Sequence, residues 1–184
     1  LDLNKKVALI LMNPRFGSLT NPSKDILKEI ERIRRQSFDF VEIGIEPPEG
    51  TAEILLRKRG AIKKLLKKFS SPAIGHTSWW VEFGSHHEFV RSGWVREGKR
   101  MIDAAKGLGI NLINFHAMSF GMVMEKGSKK KTLDNFAESM RELVKYGKRK
   151  GVKIMLENVP DDKLGKFENF RYVVNHVRGL GVNL

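Results

Sequence analysis

The sequence predicts an α/β fold, a (β/α)8 TIM-type barrel of which about five and a half β-α units are present. Three observations predict it. Short apolar runs rich in β-branched residues alternate with longer stretches of helical periodicity along the whole chain. The runs recur about every 30 to 40 residues, the step of a repeated β-α unit, and right-handed crossovers then make the sheet parallel. Several runs are apolar without strict alternation, as strands covered on both faces are. An open doubly wound sheet shares these features. Its phosphate-loop and dinucleotide fingerprints are absent, since Gly107-Leu108-Gly109 follows a helix instead of opening one. Eight units need roughly 250 residues and the chain has 184. The expectation is therefore one barrel domain over residues 1–184 that forms part of a longer barrel.

The first strand is expected at Val7–Met12, ended by Asn13-Pro14. Asn21-Pro22 then starts a helix, with a cap residue followed by proline at the first helical position. Its apolar stripe is Ile26, Leu27, Ile30 and Ile33. The second strand is Phe40–Ile45. Thr51 caps the next helical stretch, which Gly60 is expected to break in two. The third strand is Ala73–His76, followed by a helix from about Glu88 to Lys106. Ile110–His116 is the fourth strand, and Thr132 is expected to cap the helix after it, which stops before Gly151. Val152–Glu157 is the fifth strand. The last helix carries Phe170, Val173, Val174 and Val177 and ends at Gly179, and a sixth strand begins near Gly181.

Composition narrows the chemistry. With no cysteine, a disulfide scaffold, a zinc finger and a thiol nucleophile are excluded, and a transition-metal site must use His, Asp and Glu. A hydrophobic fraction of 41% excludes a disordered chain. The 34 basic and 21 acidic residues give a net charge of +13. That suits an anionic partner such as a phosphate ester or nucleic acid, and equally a lysine-rich solvated surface of thermophile type. The run Val7–Met12 is far short of the roughly 18 residues of a membrane span, so no membrane role and a cytoplasmic setting are expected.

Barrel enzymes carry their catalytic groups at the carboxyl ends of the strands. The third strand ends in Gly75-His76-Thr77-Ser78-Trp79-Trp80, the fourth in Asn114-Phe115-His116-Ala117-Met118 and the fifth in Leu156-Glu157-Asn158-Val159-Pro160. Three successive strands thus deliver His76, His116 and Glu157 to one rim. Two imidazoles and a carboxylate suit a divalent metal of the zinc or manganese kind. Glu46 ends the second strand at the same rim, where it could hydrogen-bond a ligand or simply be solvated before Pro47-Pro48. Trp79 or Trp80 could stack on a sugar face or a base. Lys126, with Lys129, Lys130 and Lys131, falls in the loop after the fourth strand, where it could bind a phosphate. His86 and His87 read as surface or loop residues, and His176 as a helix-end cation with no catalytic part.

These endings resemble the xylose-isomerase-like barrel superfamily, which includes the AP endonuclease family and many sugar isomerases and epimerases. The resemblance covers essentially the whole chain in strand order and spacing, and "NFHAM" and "LENVP" are its most specific pieces. It implies that Glu157 is a metal carboxylate that doubles as an acid/base, and that His116 and His76 are metal ligands, as in the endonuclease branch. It implies a divalent cofactor (Zn, Mn, Mg or Co). Asn158, Glu46, Trp79 and Lys126 would contact a small sugar or sugar-phosphate substrate. "FDFVEIGIEPP" resembles the isomerase branch, where the second strand ends in Glu, so proton transfer α to a carbonyl is the leading activity. The alternatives are a zinc phosphodiesterase acting on damaged DNA, and an inactive fragment or a barrel that only binds a ligand or is completed by a partner chain; a homo-oligomer is compatible with each. The family continues with an Asp-x-x-His motif on the sixth strand, a His on the seventh and a Glu on the eighth, none of which lies in these residues.

Overall fold

The computed structural model describes residues 14–118, 128–159 and 164–183. In chain order the elements are β1 (Gly17–Leu19), α1 (Ile26–Arg35), β2 (Phe40–Ile45), α2 (Ala52–Arg57), α3 (Arg59–Leu66), β3 (Ile74–Thr77), α4 (Glu88–Leu108), β4 (Leu112–His116), α5 (Lys129–Lys150), β5 (Lys153–Glu157), α6 (Phe167–His176) and β6 (Gly181–Asn183). Every neighbouring strand pair is parallel and the spatial order is β1-β2-β3-β4-β5-β6. That order chooses between the two architectures left open by the pattern. A doubly wound sheet reverses its strand order at a switch point, whereas a barrel adds each strand beside the last. The six strands run the course of a barrel wall.

Strand alternation sorts the side chains. Val41, Ile43 and Ile45 of β2, Ile113 and Phe115 of β4, and Ile154 and Leu156 of β5 are buried against the helical layer. Glu42, His76, Asn114, His116, Met155 and Glu157 occupy the intervening positions and therefore the opposite, concave face. Phe83, from the connection between β3 and α4, sits edge-on to Phe115 and Phe136 at centroid distances of 5.7 and 6.1 Å. The connection is thus anchored in the core.

The sequence-predicted helices appear with shifted starts. Asp25, not Asn21, caps α1: its side chain accepts from the Leu27 and Lys28 backbone N–H groups. Asn21 instead closes its own turn, accepting from Ser23 N at 2.9 Å. The break between α2 and α3 falls at Lys58, which ends one helix and begins the other, and Gly60 lies inside α3. Thr51 does cap α2. Thr132 is not a cap, because α5 starts three residues earlier, after Ser128. Thr132 Oγ1 bonds back to Ser128 O at 3.3 Å, as a hydroxyl in a helix's first turn can. Gly109 and Gly151 end α4 and α5 in the left-handed region, at φ 81° and 70°, where L side chains are strained. The strand expected at Val7–Met12 lies outside the described residues, and β1, which sequence patterning missed, follows it. No helix among the described residues is long and apolar enough to cross a membrane.

Asp25 also accepts from Lys58 Nζ at 2.7 Å, tying α1 to the α2–α3 junction. That contact, with the N–H bonds of Lys28 and Leu27, holds its carboxyl below the ordinary aspartate range. Asp25→Ala is expected to lose about 1 kcal/mol of stability in a denaturant melt at neutral pH, and Asn21→Ala clearly less. A carboxyl whose folded pKa is depressed stabilises above its unfolded value. The gap between wild type and Asp25→Ala should therefore close as pH falls below about 4.

Candidate metal centre

Register brings the three rim residues together. His76 of β3 lies beside Asn114 of β4, and two residues on, His116 lies beside Glu157 of β5, which in turn lies beside Asn183 of β6. One donor atom from each of His76, His116 and Glu157 falls within 4.8 Å of the others. The imidazole rings meet edge to face at 4.7 Å, and His116 Nε2 is 4.0 Å from Glu157 Oε2. The same Glu157 oxygen accepts from Asn114 Nδ2 and, at 3.4 Å, from Asn183 Nδ2. His76 Nδ1 lies 3.3 Å from Glu42 Oε2. Glu42, Asn114 and Asn183 were not singled out in the sequence. The signal was present for two of them: Glu42 and Asn114 sit at even spacing from Glu46 and His116, on the same strand faces.

Burial and charge push the two histidines in opposite directions. Burial lowers the His116 pKa to about 4, and the His76 charge lowers it too, against weaker pulls from the Ser78 backbone and Glu42. Burial also acts to lower His76, but its contact with Glu42 and the charges of Glu157 and Glu46 outweigh that and leave its pKa raised. His116 is accordingly a neutral imidazole at pH 7, the form that ligates metal. Glu46 is buried at the end of β2, and its burial raises its carboxyl pKa against the opposing His76 charge.

The donor set suits a divalent ion. Nδ1 of His76 and Nδ1 of His116 are buried and make no well-formed hydrogen bond, a costly state that coordination relieves. A closed tetrahedral site with bonds of roughly 2.0–2.1 Å would need donors about 3.3 Å apart. The 4.8 Å spread is wider than that. Of the other predicted contacts, Asn158 follows Glu157 with its Oδ1 buried and without a hydrogen bond among the described residues. Trp79 is half exposed and meets Trp80 edge to face at 5.8 Å. Lys126 lies outside the described residues. Lys129, Lys130 and Lys131 form the first turn of α5, not a loop, and Lys130 pairs with Asp134 at 2.6 Å. His86 is tied to Thr132 at 2.9 Å, and His176 ends α6.

Removing a donor should matter more than removing its support. In equilibrium dialysis against Zn2+ or Mn2+ with elemental analysis, Asn114→Ala should weaken binding by about 10–100-fold. His116→Ala should weaken it further, with unchanged circular dichroism in both.

The family model described as "Xylose isomerase-like TIM barrel" matches residues 10–184. No curated protein matches the chain. Among solved structures, a D-tagatose 3-epimerase-like protein has 22% identity and a TM-score of 0.76, over 92% of this chain and 64% of that one. A 3-keto-D-glucoside 4-epimerase from E. coli has 18% identity and a TM-score of 0.72, over 92% and 67%. A Thermus thermophilus protein soaked with ZnCl2 has 20% identity and a TM-score of 0.63, over 91% and 64%. These likenesses show the fold. The chain spans 64% of the length of the first of these structures.

Proposed function

The chain belongs to the xylose isomerase-like TIM-barrel family, and on that premise we propose that it is a divalent-metal-dependent sugar or sugar-phosphate isomerase or epimerase. The observation that carries this reading is the meeting of His76, His116 and Glu157 at the carboxyl ends of three adjacent strands. Solved neighbours of the same fold, one named as an epimerase-like protein and one as an epimerase, support it. His76, His116 and Glu157 would hold the metal. Bound there, a divalent ion supplies Lewis acidity toward the oxygens of a hydroxy-carbonyl substrate.

The remaining chemistry falls to the chain's own groups. Glu157 is oriented by the Asn114 and Asn183 amides on one oxygen, and its carboxylate can take a proton from the carbon beside the carbonyl or return it. Glu46, desolvated at the end of β2, can hydrogen-bond a sugar hydroxyl. Trp79, Asn158 and Lys126 complete the proposed substrate contacts. A cytoplasmic setting fits a chain without cysteine. The two-imidazole donor set and the net charge of +13 favour, as a second reading, a zinc phosphodiesterase acting on damaged DNA.

Proton exchange separates the two. The protein loaded with Mn2+, Co2+, Mg2+ or Zn2+ is incubated with D-fructose, D-psicose and their phosphates in D2O, and deuterium at the carbon beside the carbonyl is followed by NMR. Metal-dependent incorporation that Glu157→Gln abolishes is the expected result. Absence of exchange with every sugar, together with cleavage of abasic-site DNA at two or three zinc ions per chain, would transfer the assignment to the phosphodiesterase.

A further inference from the structure

Beside the rim, on the helix side of the wall, lies a cavity of about 470 Å³, within the size range of small-molecule sites. Its walls are Trp80, Phe89 and Trp94, and Glu97 and Ser78 add polar groups. Phe89 is 91% exposed, and Trp80 and Val90 beside it are also exposed large apolar side chains. Ser78 is only 3% exposed, yet its Oγ has no hydrogen-bond partner among the described residues. The Glu97 carboxylate is oriented by Arg100 Nη1 at 3.0 Å.

Gly93 explains why the space exists. It sits inside α4, where glycine costs stability relative to alanine. A Cβ there would meet nothing nearer than Arg96 Nη2 at 4.0 Å. Packing therefore does not demand glycine at this position. The missing side chain leaves a notch between Phe89 and Glu97, which follow one another around it at helical spacing.

We propose that this cavity is a second sugar-ring subsite, so that the substrate is a glycoside or oligosaccharide instead of a free monosaccharide. This rests on the isomerase reading and deepens it. A pyranose presents an apolar C–H face and a rim of hydroxyls. Aromatic faces match the first, and an oriented carboxylate with an unpartnered hydroxyl matches the second. A purely apolar occupant would leave the Ser78 hydroxyl desolvated without a partner. The subsite is also in reach of the metal centre. Pro47 and Ser78, which line it, come one residue after Glu46 and two after His76, and two extended residues span roughly 6–7 Å. A saccharide chain that crosses the rim at Ser78 would place one ring toward His76 and the next toward Trp80.

The test compares sugars that differ by one ring, D-fructose with lactulose and D-glucose with cellobiose, by calorimetry on the metal-loaded protein. The larger member of each pair should bind about tenfold more tightly. Gly93→Leu, which fills the notch with a better helix former, should erase that gain while leaving metal binding unchanged, and Trp80→Ala should do the same. Equal affinities within both pairs would overturn the subsite, as would a gain that survives in both variants. A dimer in sedimentation that Gly93→Leu dissociates would also overturn it, by giving the cavity to a second copy. A gain that persists without metal-dependent proton exchange would support the subsite and remove the isomerase reading instead.

Discussion

Burial of the outward strand faces against the helices is the constraint on which the rim depends. Val41, Ile43 and Ile45 are each at most 1% exposed, and burying such a side chain is worth about 1.5–3 kcal/mol. Slipping β2 by one residue would turn all three toward the polar concave face and bring Glu42, Gly44 and Glu46 into the core. That loss is comparable to the whole stability of an ordinary domain, roughly 5–15 kcal/mol. The apolar residues therefore fix the register without help from the polar ones. His76, Asn114, His116 and Glu157 are carried to the concave face as the other half of the same alternation.

What the rim then holds is two imidazoles and three carboxylates close together. Two imidazoles at 4.7 Å cannot both be protonated cheaply. Against its burial, the contact with Glu42 helps raise the His76 pKa, and burial lowers that of His116. Glu42 supports His76 from β2 as Asn114 and Asn183 support Glu157 from β4 and β6. Two of the three candidate donors are thus held by side chains from neighbouring strands, the kind of support that orients ligands in metal sites.

Much of this was legible in the sequence because it follows from period and spacing. Five of the six described strands fall within two residues of where apolar runs put them, and His76, His116 and Glu157 were visible as strand endings. What escaped is set by contacts across the fold. Asn21 and Asp25 are both good caps, and only the Lys58 contact from the next unit shows why Asp25 prevails. Thr132 looks like a cap locally, but α5 begins a turn earlier and leaves Thr132 to bond His86. β1 has three residues of Gly-Ser-Leu, too short and too polar to register as a strand, and it exists because β2 offers it an edge.

The connection between β3 and α4 shows how such contacts reach the site. Its sequence mixes two tryptophans, Val81 and Phe83 with two histidines that read as surface or loop residues. In the fold it is held at three points by α5: Ser139 Oγ donates to Phe83 O at 2.8 Å, Asn135 Nδ2 donates to Ser85 O at 2.9 Å, and His86 meets Thr132 at 2.9 Å. Val81 and Phe83 are buried between those anchors. The segment that follows His76 and presents Trp79 and Trp80 is thereby fixed to the helix that follows His116. A shift of α5 would move Trp79 and Trp80 relative to His76 and His116, so under the proposed function substrate shape and metal geometry would be set by one packed unit.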